Sequence, residues 1–263
     1  MKIVAAMSSV LMSASLLFGA TTAQADQLES VQQKGVLKVA VPQDFPPFGS
    51  VGTDLKPHGY DIDMAGYLAQ KLDVKLELVP VTSANRIPYL QTGKVDLVIS
   101  SMGKNAEREK VIDFSAAYAP FYLGVFGSSD EAVTSAQDLS GKTIGVTRGS
   151  VEDLELSKIA PSDATIKRFE DNNATLSSFL SGQVSLIATG NLVVTEIATR
   201  YPAKAPQTKF LLKNSPCYVG VMKGEDALLK EVNRLITEAK QDGVLEGFSQ
   251  KWLKAPFPAD LGA

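Results

Sequence analysis

Two stretches of this chain repeat one pattern, and that repeat limits the folds open to it. Gly93-Lys94-Val95-Asp96-Leu97-Val98-Ile99-Ser100-Ser101 is matched in kind by Gly182-Gln183-Val184-Ser185-Leu186-Ile187-Ala188-Thr189-Gly190. In each, a glycine follows an amphipathic helix candidate, and an apolar run short enough for a buried parallel strand comes next. The run then empties into small polar residues. A separation this wide excludes a solenoid and suits two lobes of like topology. In open α/β sheets ligands sit beyond the carboxyl ends of strands. Ser100-Ser101 and Thr189-Gly190-Asn191 are therefore expected to face each other across one cleft.

The first copy lies within Thr82 to Ser115. Pro88 is tolerated in the first turn of a helix around Ile87 to Leu90, because its missing N–H has no helical partner there. Beyond the strand at Val95 to Ile99, two serines and Arg108 read as a site for a small anion. Upstream, Val36 to Val41 alternates as a strand and runs into the proline-rich aromatic loop Pro42 to Phe48. A helix from Asp61 and a strand at Lys75 to Val79 complete a βαβ unit. Ala116 to Phe126 reads either as core strand or as a passage between lobes. Downstream, Thr143 to Val146 is a strand, and Thr147-Arg148-Gly149-Ser150 precedes a helix. Ser150 there is either a simple N-cap or part of an anion site at bare N–H groups. Tyr218 to Met222 reads as a strand, Asp226 to Gln241 as an amphipathic helix with Gly243 at its C′ position, and Trp252 as core.

The ends and the composition exclude several classes. Lys2, the apolar run Ile3 to Phe18 and the small-residue pattern Ala23-Gln24-Ala25 mark residues 1–25 as a signal peptide, with Asp26 opening the mature chain. No cysteine stands at that junction to carry a lipid. Loss of Lys2 leaves the mature chain one charge more acidic than the full chain's −3, which is no nucleic-acid signature. One cysteine, Cys217, and one histidine, His58, make neither an internal disulfide nor a metal cluster. No later apolar run has the length of a membrane span. An exported, periplasmic protein without metal or cofactor is expected.

The order of motifs resembles the periplasmic solute-binding proteins of ABC importers, in the polar amino-acid family. The carriers are Phe45-Pro46-Pro47-Phe48, Gly59-Tyr60-Asp61-Ile62-Asp63, Gly93 to Asp96, and Glu107-Arg108 through Asp113-Phe114-Ser115. They continue with Gly141 to Val146, Arg148-Gly149-Ser150, and Gln241-Asp242-Gly243 through Trp252. The resemblance implies an α/β, two-lobed type II fold, each lobe a mixed sheet flanked by helices, with the ligand in the cleft between them. Residues 26–119 and 217–263 would form lobe one, and residues 120–216 lobe two. It also implies a monomer that delivers its ligand to an inner-membrane permease.

Roles follow the same resemblance. Arg108 matches the arginine that pairs with the ligand carboxylate, and Ser150 matches the carboxylate contact from lobe two. Ser100 and Ser101 match hydroxyl and carbonyl contacts. Phe45 matches the aromatic over the ligand, or else is a loop-packing ring. Asn85-Arg86-Ile87-Pro88 resembles the acidic amino-acid binders, so Arg86 with Arg108 and Arg148 would make a cationic pocket. Two positions depart from the family: Gly190, beside Asn191, stands where an acid usually binds the ammonium, and Gly103 stands where Ser or Thr is usual. Either Asp44, Asp61 or Glu152 supplies the missing charge, or the ligand is not a plain α-amino acid. The alternative on the same scaffold is an exported enzyme like cyclohexadienyl dehydratase, which needs a carboxyl group near Gly190 that this chain lacks.

Overall fold

The computed structural model describes residues 26–261, so the expected signal peptide lies outside the described residues. The first half contains α1 (Gln27–Lys34), β1 (Val36–Val41), β2 (Asp44–Phe45), β3 (Gly49–Val51), β4 (Pro57–His58), α2 (Tyr60–Lys71), β5 (Lys75–Pro80), α3 (Arg86–Gln91), β6 (Leu97–Met102), α4 (Ala106–Glu109) and β7 (Ile112–Ala119). The second half contains β8 (Tyr122–Gly127), β9 (Thr143–Thr147), α5 (Val151–Ile159), β10 (Thr165–Phe169), α6 (Asn172–Leu180), β11 (Leu186–Gly190) and α7 (Asn191–Arg200). It closes with β12 (Gln207–Asn214), β13 (Cys217–Met222), α8 (Asp226–Gln241) and α9 (Val244–Phe248).

The strands form two five-stranded sheets, β5-β1-β6-β13-β7 and β10-β9-β11-β8-β12, beside a small sheet β2-β3-β4. In each large sheet the first three strands are parallel, and the fourth runs antiparallel to both its neighbours. That fourth strand, β13 or β8, is the one entered on passing from the other sheet. The repeat in the sequence is thus a repeat in architecture, because β6 and β11 hold the same place in their sheets. The chain passes between sheets twice, at Pro120-Phe121 and at Ser215-Pro216. The two passages touch: the Ser215 N–H donates to the Phe121 carbonyl at 2.9 Å.

The helices cover the sheets through the faces that their spacing provides. α8 buries Leu228, Val232, Leu235, Ile236 and Ala239, each large aliphatic side chain contributing about 1.5–3 kcal/mol. Three details differ from the sequence reading. β6 starts two residues later than Val95 and includes the seryl pair, because β13 pairs along it as far as Met102. α1 is an added helix whose cap is the Asp26 carboxylate, accepting from the Leu28 N–H. Trp252 is only partly buried: its indole N–H donates to Asp63 at 2.7 Å, and its ring stacks on His58.

α2 contains two glycines with opposite consequences. Gly59, its N-cap, sits at φ 142°, and a Cβ there would lie 2.1 Å from the Phe48 carbonyl oxygen. Gly66 has open space where a Cβ would stand. Gly66→Ala should raise stability by about 0.5–1 kcal/mol, whereas Gly59→Ala should lower it by more than about 1 kcal/mol. Urea unfolding of the two variants checks the pair, and equal effects would contradict this account of the helix start.

Candidate functional site

Where the two sheets meet, beside both passages, lies a narrow cavity lined from both sheets, the placement usual for small-molecule sites. The end of β6 brings Ser100 and Ser101, the residue just beyond it Gly103, and the start of α3 Arg86. β2 brings Asp44 and Phe45. From the other sheet, the first turn of α5 brings Val151 and Glu152 with their N-cap Ser150, and α6 brings Asn172. The passages themselves supply Phe121 and Ser215.

One peptide group organises the first wall. The Ser100 carbonyl accepts from Arg86 Nη1 at 2.7 Å, and the Ser101 N–H donates to Asp61 Oδ2 at 2.7 Å. Arg86 and Asp61 thereby grip both edges of the bond between the serines. Ser101 is held at φ 40°, a conformation costly for a residue with a side chain, about 1–3 kcal/mol, that persists only where its surroundings enforce it. Asp61 is enforced in turn by the Tyr118 hydroxyl at 2.6 Å. Burial pushes its carboxyl up from 3.8 to about 7, against the two hydrogen bonds and Arg86, which favour the charged form.

The second wall is anionic. Glu152 is buried, and burial raises its carboxyl above the ordinary range, although its own N–H, the Ser150 hydroxyl and the Arg86 and Arg108 guanidiniums pull it down. Asp44 accepts from the Asn172 N–H at 2.7 Å and from its Nδ2 at 3.1 Å, a link from one sheet's side to the other's. Phe45 lies in an aromatic group with Phe48 and Phe121, the Phe45–Phe121 and Phe48–Phe121 centroids 6.0 and 5.2 Å apart.

Of the residues singled out in the sequence, Phe45, Arg86, Ser100, Ser101, Gly103 and Ser150 line this cavity. Of the two readings of Ser150, the N-cap is observed: its hydroxyl accepts from the Asp153 N–H at the start of α5. Five others lie elsewhere. Arg108 stands behind the lining, where Nη1 donates to the Gly103 carbonyl at 2.7 Å and Nη2 to the Gly149 carbonyl at 3.1 Å. The two carbonyls come one from each half of the chain. Burial, with Arg86 close by, pushes it down to about 9. Arg148 is exposed and paired with Glu170 at 3.0 Å, so the expected cluster of three arginines is not assembled.

Asn85 is the residue before α3 and makes no side-chain cap. Asn191 is used structurally, its Oδ1 accepting from the Tyr122 N–H. Gly190 does not face Ser100-Ser101 across the cavity, because the Phe121 ring intervenes: a Cβ at Gly190 would stand 1.7 Å from it. Among the three acids left open by the sequence, Asp44 and Glu152 line the cavity and Asp61 sits behind Ser101. Ser83, Phe121, Asn172 and Ser215 were not singled out; the passage residues could be found only by knowing that the passages touch.

The Asp61 carboxyl gives this wall a pH dependence. Folded protein holds that proton more tightly than the unfolded chain, so folding takes up a proton between about pH 4 and 7. The group's contribution is fully present below its ordinary range and is lost as pH rises through about 7. Stability of the wild type should therefore fall from pH 5 to 7.5, and Asp61→Asn should flatten that slope. Parallel pH profiles of the two proteins by urea unfolding check it; identical slopes would contradict the assignment.

The family model for bacterial extracellular solute-binding proteins, family 3, matches residues 37–255. The L-cystine-binding protein TcyJ of Escherichia coli is 27% identical over 231 residues, 87% of this chain and 86% of that protein. The glutamine-binding protein of Geobacillus stearothermophilus is 32% identical over 187 residues, 69% of this chain and 71% of that one. The crystal structure of the cysteine-binding protein of Campylobacter jejuni superposes with a TM-score of 0.82 at 26% identity, covering 90% of this chain and 96% of that one. The two sheets with their paired passages are the type II periplasmic binding fold. The chain belongs to the bacterial extracellular solute-binding proteins of family 3.

Proposed function

We propose that this protein captures an α-amino acid with an uncharged side chain in the periplasm and delivers it, as a monomer without cofactor, to an inner-membrane ABC permease. The observation that carries this reading is the opposition of Arg86 and Glu152 in one buried cavity. An amino acid presents a carboxylate and an ammonium, and a buried ion needs an opposite partner. Arg86, which lines the cavity and keeps Nη2 for a ligand while Nε and Nη1 donate to the Ser83 and Ser100 carbonyls, suits the first with the seryl groups, and Glu152 with Asp44 suits the second. A dicarboxylate would bring another anion beside those acids, while Arg108 is turned to carbonyls and Arg148 to Glu170. Relatives named for cystine, glutamine, cysteine, arginine and glutamate/aspartate support an amino acid as the ligand, and the uncharged side chain rests on the cavity's own charges. A ligand touching both walls favours the closed arrangement, the state a transporter reads.

Calorimetric titration of the protein stripped of co-purified ligand, with L-cystine, L-cysteine, L-glutamine and L-glutamate, tests this. One of the neutral amino acids should bind, and Glu152→Gln should weaken it at least about tenfold, the loss of a charge-assisted hydrogen bond. Tighter binding of L-glutamate than of every neutral probe, or an unchanged affinity in the variant, would contradict it. One observation favours a second reading: Glu152 is a buried carboxyl whose hold on its proton is strengthened by burial, the property of a general acid. A dehydratase would protonate the hydroxyl of a hydroxylated cyclohexadiene carboxylate, which leaves as water while the ring carboxylate leaves as carbon dioxide, giving an aromatic product with rising ultraviolet absorbance. Absence of turnover removes that reading.

A further inference from the structure

The second passage between the sheets carries a polar group that nothing among the described residues satisfies. Ser215 is 3% exposed and lines the cavity, and its hydroxyl has no hydrogen-bond partner among those residues. Its backbone N–H is already spent on the Phe121 carbonyl, which fixes the residue and leaves only the side chain to act. A buried hydroxyl left unmatched costs stability, so each such group calls for an explanation. Its neighbour supplies one. A Cβ built on Gly103 would lie 2.2 Å from Ser215 Oγ, with Val151 Cγ2 at 3.1 Å from the same point. The hydroxyl therefore occupies the space in front of Gly103, beside the first turn of α5, reaching in from the passage that leads into the neighbouring strand β13.

We infer that Ser215 is a ligand-binding residue whose hydroxyl donates a hydrogen bond to an oxygen of the bound molecule's head group. The inference rests on the reading that this cavity takes an amino acid, and it assigns that site a contact from the passage itself. Ser215 joins β12 of one sheet to β13 of the other, so a ligand bonded to it senses how the two sheets are set. Positions 103 and 215, at the ends of adjacent strands, serve one spot of the cavity. A hydroxyl is delivered there by the residue at 215, and Gly103 leaves the room for it.

The test is a four-protein titration with L-cystine, L-cysteine and L-glutamine as probes: wild type, Ser215→Ala, Gly103→Ser and the double variant. Ser215→Ala should weaken the best probe by about tenfold, while the ligand-free protein keeps or gains thermal stability because an unmatched hydroxyl is gone. Gly103→Ser alone should also lose affinity, since the added side chain collides with Ser215 Oγ. In the double variant that collision is removed: the Cβ at position 215 stands at an ordinary 3.6 Å, and the Val151 side chain, at 3.1 Å, has to yield only a few tenths of an ångström. The side chain introduced at position 103 then returns a hydroxyl to the same spot of the cavity, and most of the affinity should return with it. Wild-type affinity in Ser215→Ala overturns the inference, as does a double variant that binds no better than Ser215→Ala. If no probe binds the wild type, the amino-acid reading itself has failed.

Discussion

The peptide bond between Ser100 and Ser101 is the constraint on which the site depends. Arg86 holds its carbonyl and Asp61 holds the N–H on its other edge, and the resulting φ of 40° at Ser101 is not one the strand would choose alone. Both holders are buried ionisable groups, and each is kept in place by further bonds. The Ser83 carbonyl accepts from Arg86 Nε, and Tyr118, whose own carbonyl accepts from the Tyr60 hydroxyl, donates to Asp61. A chain of polar contacts thus runs from α2 and β7 to the mouth of the cavity. Such a network is stable only when each member is matched, which ties the cavity wall to the core of its sheet.

The two passages between sheets do as much for the opposite side. Phe121 packs over Gly190 and against Phe45 and Phe48, so the strand end of the second sheet is closed by a ring. An acid at that strand end has no room, and the negative charge of the cavity comes instead from Glu152, at a helix start, and from Asp44. Arg108 adds a strut from behind, binding carbonyls of Gly103 and Gly149, one from each half of the chain. The two sheets are joined by contacts that also shape the cavity.

Much of this architecture was legible because it follows from periodicity. The pattern of β6 and its approach repeats in β11, α8 runs over the predicted residues, and the glycines that end α3 and α6 adopt φ of 66° and 76°. The site was legible only where local pattern decides it, as at Ser150 before α5 or Phe45 in its proline loop. Arg108 and Arg148 show the limit. An arginine's sequence position fixes its Cα, but its long side chain reaches whichever acceptor the fold brings near, here backbone carbonyls and a surface glutamate. Phe121, Asn172 and Ser215 are contributed by segments far apart in the chain, and no local spacing reports their meeting.

The central claim is that the cavity closes around a small ligand held by both sheets. Small-angle X-ray scattering of the stripped protein, with and without a saturating amino acid whose binding has been confirmed by calorimetry, tests it most directly. The account predicts a smaller radius of gyration with ligand, as the sheets come together over Arg86 and Glu152. Confirmed binding with an unchanged radius would mean that the ligand is not what joins them.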